Sequence, residues 1–414
     1  MTTELPDVPQ EDVPHEQQQQ EPSVWARITG TAGGNWRDMI LLPLLALATA
    51  LIVGGLILVV TDLDLWEVLR DEGFVTWVRE SVALVWSVYT ALFSGAFGSP
   101  RAISETLLAT SPLIFTGLAV AVGFRAGLFN IGGEGQMLMG GLAAVTIGFW
   151  WDFLPFPLHM LAAVVAAMVA GGIWAGIAGL LKARTGAHEV ITTIMLNAVA
   201  GFLVTWLLKT DFIRVPDRND PVSKTIAESA ELPRLLTWLD PQLRVHLGIV
   251  VALLTAWFVW WLLFRSTIGF QFRAVGFNPD ASRYAGMKVS FLVVAVMAVS
   301  GALAGMGGAD VTLGVLGRAT PGFAAGVGFT GIVVALLGRS HPGGVVLAAL
   351  LFGALSAGGR EMQVQTQISV ELVSVIQALV LLFIAAPALI RGLYRLKPSK
   401  DGEEIVQLTS GWGA

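Results

Sequence analysis

Asn130, Glu134 and Gln136 stand in GLFNIGGEGQMLMGG, residues 127–141, between two apolar runs. Amide side chains both donate and accept, which suits contact with a neutral, hydroxylated or nitrogen-rich solute. A carboxylate at membrane depth is costly unless it faces protein or water. The neighbouring glycines permit backbone that departs from a helix, which a membrane tolerates only inside protein or along a cavity. The same three side chains could equally cap a broken helix and touch no solute, and Glu134 in particular is expected to order the backbone rather than pair with cargo. A second set, Thr192, Thr193 and Asn197, lies in HEVITTIMLNAVAGF, residues 188–202. Thr193 and Asn197 share a helix face, where they either meet a solute or hydrogen-bond two crossings together.

A third stretch, STIGFQFRAVGFNPDASRYAGMKVS, residues 266–290, has the makings of a short helix. Asn278 and Pro279 open it, Asp280 sits near its positive end, and Gly286 can close it. With Arg273, Arg283 and Tyr284 around it, this helix would make a docking knob for a cytosolic partner. The alternative is an ordinary solvated loop.

Several chemistries find no support in the sequence. There is no G-x-x-x-x-G-K-[ST] phosphate loop, no H-E-x-x-H and no G-x-S-x-G. The 5 histidines, His159 and His341 among them, are scattered, so structural or interfacial roles are expected for them. The absence of cysteine excludes disulfides, thiolate metal sites and cysteine nucleophiles. No cofactor and no metal are expected.

The elements that must position these residues are membrane helices. Of 414 residues, 55% are hydrophobic and 13% charged, and the mean hydropathy is +0.71. These values lie outside the soluble globular range. Residues 1–26, rich in Pro, Gln and acids, read as a disordered tail. No basic region precedes a short apolar core with a cleavage site, so the first apolar run is expected to be retained. Hydropathy and punctuation place crossings near 39–60, 105–124, 134–150, 159–181, 190–208, 245–264, 289–309, 323–338, 343–358 and 370–390. The apolar stretch 82–97 is short and holds Ser87, Tyr89 and Ser94, and is read as an external interfacial helix. The membrane domain spans 27–398, with a cytoplasmic loop near 265–288 and a tail over 399–414.

Lys and Arg near crossing ends set the orientation. With both termini cytoplasmic, Arg125, Lys182, Arg184, Arg265, Arg273, Arg283, Lys288 and Arg339 fall on the cytoplasmic side. The charge-mixed loop 209–244 falls outside. The fold class expected is an all-α polytopic membrane protein of about ten transmembrane helices, with an inverted repeat and glycine-broken central helices. The repeat rests on GLFNIGGEGQMLMGGLAAV and its glycine-rich counterpart GRATPGFAAGVGFTGIVVAL, which includes Phe329 and Thr330. In this topology the two following crossings run in opposite directions, the sequence pointer to a transporter's central path. Chance matching in a chain with 47 glycines is the competing explanation.

Taken together, RAGLFNIGGEGQMLMGG, HEVITTIMLN, RAVGFNPDASRYAGM and GFTGIVVALLGRSHPGGVVLAALLFGAL resemble the permease subunits of bacterial ABC importers. The branch is that of simple sugars, branched-chain amino acids and nucleosides. The likeness covers about residues 39–395, and the stretches look specifically like the larger of two permeases in nucleoside importers that work with a basic-membrane-protein-type binding lipoprotein. It implies a second permease subunit, two cytosolic ATPase subunits and an external solute-binding lipoprotein, in a multi-pass protein of the bacterial inner membrane. It also implies that 278–286 is the coupling-helix region contacting the ATPase. ATP hydrolysis is then expected on separate subunits, with no nucleic acid polymer as partner and membrane lipid around the chain. From the residues alone the reading stops earlier, at a channel or transporter with a polar, glycine-broken centre. A self-contained ion-coupled secondary transporter is the main rival, with a membrane-embedded enzyme or a branched-chain amino acid permease as others.

Overall fold

Backbone in hydrocarbon must satisfy its own N–H and C=O groups, so the apolar runs fold as helices. The computed structural model describes residues 36–216 and 218–395, and both terminal tails, 1–26 and 399–414, lie outside them. The chain opens with α1 (Trp36–Thr61), α2 (Leu63–Asp71), α3 (Phe74–Phe97) and α4 (Pro100–Arg125). Asp62 caps α2 by accepting from Leu65 N, and Ser99 caps α4 by accepting from Ala102 N, with Pro100 in the first turn. Next come α5 (Gly133–Trp150), α6 (Leu158–Thr185) and α7 (Glu189–Leu207). The second half holds α8 (Gly248–Arg265), α9 (Thr267–Phe277), α10 (Pro279–Tyr284) and α11 (Val289–Val311), which runs into a π-helical turn, Thr312–Leu316. The chain continues through α12 (Val327–Leu337), α13 (Pro342–Thr366), α14 (Glu371–Ala385) and α15 (Pro387–Leu393).

Among the described residues, 8 helices are long and apolar enough to cross a membrane, and α12 and part of α14 are shorter apolar helices. The stretch 82–97 is the C-terminal two thirds of a continuous 24-residue helix, α3, because Arg79 and Glu80 lower the hydropathy without interrupting the helix. Two expected crossings are corrected. The expected crossing at 323–338 shortens to the 11 residues of α12, because Gly322, Ala325 and Gly326 take positive φ angles ahead of it. The expected crossing at 370–390 breaks at Ala386, just before Pro387.

Helix α4 is the spine. In it Leu113–Val122 is buried on every side, packed among α8, α11, α12 and α13. Beside it, α5, α6 and α11 approach closely through small residues, Gly171 facing Gly301 and Gly305, Gly140 facing Gly305, and Gly141 facing Gly308. One end of the bundle gathers basic residues. There Arg125 donates to Ser340 O at 3.0 Å and Arg339 O at 3.3 Å, and both Arg125 and Arg273 lie 5.4 Å from the Phe264 ring.

The opposite end carries the long loop over 209–247, which is seated rather than free. Ala227 N donates to Gly148 O, Leu232 N to Leu313 O, Ile226 N to Gly317 O and Ser223 N to Ala319 O. These bonds lay the loop across the ends of α5 and α11 as a cap.

Candidate functional site

The chain between α4 and α5 leaves the helix because its groups are satisfied by side chains instead. Ala126 N and Leu128 N both return to Gly123 O, and the backbone then runs past Gly127, at φ +67°, into the glycines before α5. Asn130 and Gln136 bracket the turn with two reciprocal amide bonds of 2.9 Å each. Asn130 also donates to Ser300 Oγ of α11 and accepts from Gly132 N, while Ser300 donates to Ala119 O of α4. Both amides are fully buried, and their polar atoms are taken up by protein.

Asn197 of α7 holds the other side of the break. Its Nδ2 donates to Ile131 O and its Oδ1 accepts from Gly135 N, both at 2.9 Å. Thr193, one turn earlier, returns its hydroxyl to Glu189 O, and Thr192 returns its own to His188 O. The two threonines therefore serve their own helix, while Asn197 serves the break.

Glu134 joins the two glycine-rich segments. Its Oε1 accepts from Gly326 N at 3.0 Å and its Oε2 from Gly328 N at 2.9 Å. The backbones touch here, and a methyl group on Gly328 would overlap Glu134 N and Cα. From this junction α5 runs toward the cap, where Gly148 meets Ala227, and α12 runs toward the basic end, where Arg339 and Ser340 meet Arg125. The two helices leave the junction in opposite directions, as the inverted correspondence expects. In the second glycine segment Phe329 is exposed and Thr330 is half-buried, its hydroxyl donating to Gly326 O.

Three partners escaped the sequence reading. Ser300 lies in an apolar helix with no spacing to mark it. Arg125 reaches the C-terminal end of α12 across more than two hundred residues. Glu189 is 3% exposed and bonds both Lys182 Nζ and Phe129 N, tying α6, α7 and the break together. Its place in HEVITTIMLN, seven residues after a lysine in the last turn of α6, was the available signal.

The short helix before α11 forms as the sequence suggests. Asn278 Oδ1 accepts from Ala281 N, Arg283 pairs with Asp280 at 2.9 Å, and Gly286 closes the turn at φ +83°. Tyr284, the last residue of α10, and Phe277, the last residue of α9, are 94% and 93% exposed, so two aromatic rings flank this short helix in the open. Arg273 does not join that surface, since it packs over Phe264 beneath α9.

The geometry is that of a membrane bundle in which α5 and α12 both begin at one hydrogen-bonded break. The chain belongs to the family described as the permease component of branched-chain amino acid transport systems, whose pattern matches residues 102–385. It is similar to the guanosine ABC transporter permease protein of Bacillus subtilis, 42% identical over 85% of this chain and 94% of that one. It is also similar to a nucleoside ABC transporter permease protein of Lactococcus lactis, 33% identical over 74% of this chain and 85% of that one. A glucose ABC transporter permease protein of Haloferax volcanii is 34% identical over 83% of this chain and 86% of its own length. The protein is thus a multi-pass ABC permease component and not an enzyme.

Proposed function

We propose that this chain is the larger permease of an ATP-driven importer that moves nucleosides or closely related sugars across the bacterial inner membrane. The observation that carries the solute class is its 42% identity to a guanosine permease along 94% of that protein's length. In this reading it pairs with a second permease, draws on two cytosolic ATPase subunits and receives solute from an external binding lipoprotein. Both termini lie in the cytoplasm, with Arg125, Arg273 and Arg339 at the cytoplasmic end.

The residues divide by role. Phe329 and Thr330, partly open beside the break, are the side chains offered to the solute. Asn130, Glu134, Gln136 and Asn197 hold the break in shape, with Thr192 and Thr193 flanking them on α7. Segment 278–286 passes ATPase closure to the membrane helices, with Tyr284 and Phe277 as its contact surface. The supporting geometry is the saturation of the amides by protein partners, which leaves them little to give a passing solute.

The test is reconstitution with the ATPase and receptor subunits, measuring ATP-dependent uptake of nucleosides, free bases, pentoses and branched-chain amino acids. Nucleoside uptake that requires all partners is expected. Proton- or sodium-driven accumulation by the chain alone would instead identify a secondary transporter.

A further inference from the structure

Where the cap meets α11, two ionisable side chains are buried that the proposed path does not use. His246, in the cap, is 1% exposed and Asp310, in α11, 2%. His246 Nδ1 lies 3.8 Å from Asp310 Oδ1. The fit is reciprocal, because each side chain rests in a notch on the other's segment. A methyl on Gly248, the first residue of α8, would overlap Asp310 Oδ1, and one on Gly314 in the π-helical turn would overlap the His246 ring. Ser111 of α4 donates to Asp310 Oδ1 at 2.9 Å, and Gly248 N donates to His246 Nδ1 at 3.1 Å, which leaves the proton of a neutral imidazole on Nε2.

This pair sits at the head of the seam that seats the cap. Just ahead of it, Arg244 N and Val245 N donate to Ser104 Oγ of α4 at 2.9 Å each. Beyond it run the bonds from Leu232, Ile226 and Ser223 to Leu313, Gly317 and Ala319. Apolar side chains could fill two such notches without the desolvation cost of ionisable groups, so a buried polar pair here is best explained by the register it imposes. We propose that His246 and Asp310 form a latch that keeps the cap seated on the π-helical end of α11.

Burial, with Arg244 and Arg234 nearby, pushes the imidazole from its ordinary 6.5 down to about 4. Facing it from α11 is Asp310 and, behind that, Ser111 of α4, while Glu105 of α4 is engaged by Arg244 and Arg360. The seated latch therefore holds a neutral histidine, and the unseated cap takes up the proton more readily.

The experiment is amide hydrogen exchange on the full chain in lipid nanodiscs. In His246→Ala the amides of Ser223, Ile226 and Leu232 should exchange roughly tenfold faster or more, the factor corresponding to about 1.4 kcal/mol. Those of Gly132 and Gly135 should not change. Asp310→Asn, which keeps an acceptor for Ser111, should loosen the same seam more mildly. Seam exchange unaltered in both variants would overturn the latch. If His246→Ala loosens the whole chain, the Asp310→Asn seam decides the question. None of these readouts uses transport, so they stand apart from the importer reading.

Discussion

Asn130 and Gln136 are hydrogen-bonded to each other in both directions, and this closed amide pair fastens the entry of α5 to the turn before it. Replacing Gln136 with Glu keeps the shape but removes the donor and sets a carboxylate against the Asn130 carbonyl. The loss is expected to be about 1–3 kcal/mol of stability, read as a lower Tm in detergent with unchanged helix content. A Tm equal to the wild type would mean that the pair is dispensable.

Glu134 should tolerate change in proportion to the acceptors that remain. Glu134→Gln keeps one acceptor for Gly326 and Gly328 and should retain partial uptake. Glu134→Leu leaves both backbone donors unpaired, at about 1–3 kcal/mol each, and should lose much more. Equal, near-normal uptake in the two variants, with normal amounts in the membrane, would remove the junction from the mechanism.

In segment 278–286, Gly286→Val forces a branched side chain into φ +83° and distorts the end of α10. Arg283→Glu breaks the pair with Asp280 and reverses the surface charge. Both should weaken ATPase association or the stimulation of hydrolysis while membrane insertion stays intact. Normal stimulated hydrolysis and uptake in both would leave this helix without a coupling role.

Lys182→Ala would leave the Glu189 carboxylate buried against Phe129 N without its cation. Because Lys182 itself is about a third exposed, the cost should fall below that of a fully buried pair, about 1–2 kcal/mol. Lys182→Arg should restore most of it. The measurement is thermal unfolding of both variants, and a full loss in Lys182→Arg would assign the effect to packing of the lysine stem.

Local signals in the sequence were reliable where their partners were also local. The cap of α10 by Asn278, its closing glycine and the opposed directions of α5 and α12 could all be read from residue types and spacing. What the sequence hid was set by distant contacts. Glu134 is conspicuous as a carboxylate in an apolar setting, yet its partners are backbone groups 192 and 194 residues away, and backbone carries no side-chain signature. Hydropathy overextended α12 because Phe323 and Ala324 are apolar and buried although they precede the helix. It cut α3 short because two charges lowered the average within one helix.

The meeting of α5 and α12 at one side chain also sets the register between the two halves of the chain. Each helix points its N-terminus at the junction, where backbone N–H groups have no partner within their own helix. Glu134, in the first turn of α5, takes up Gly326 N and Gly328 N at the start of α12. A slide of either helix start along its own axis therefore breaks bonds at the other.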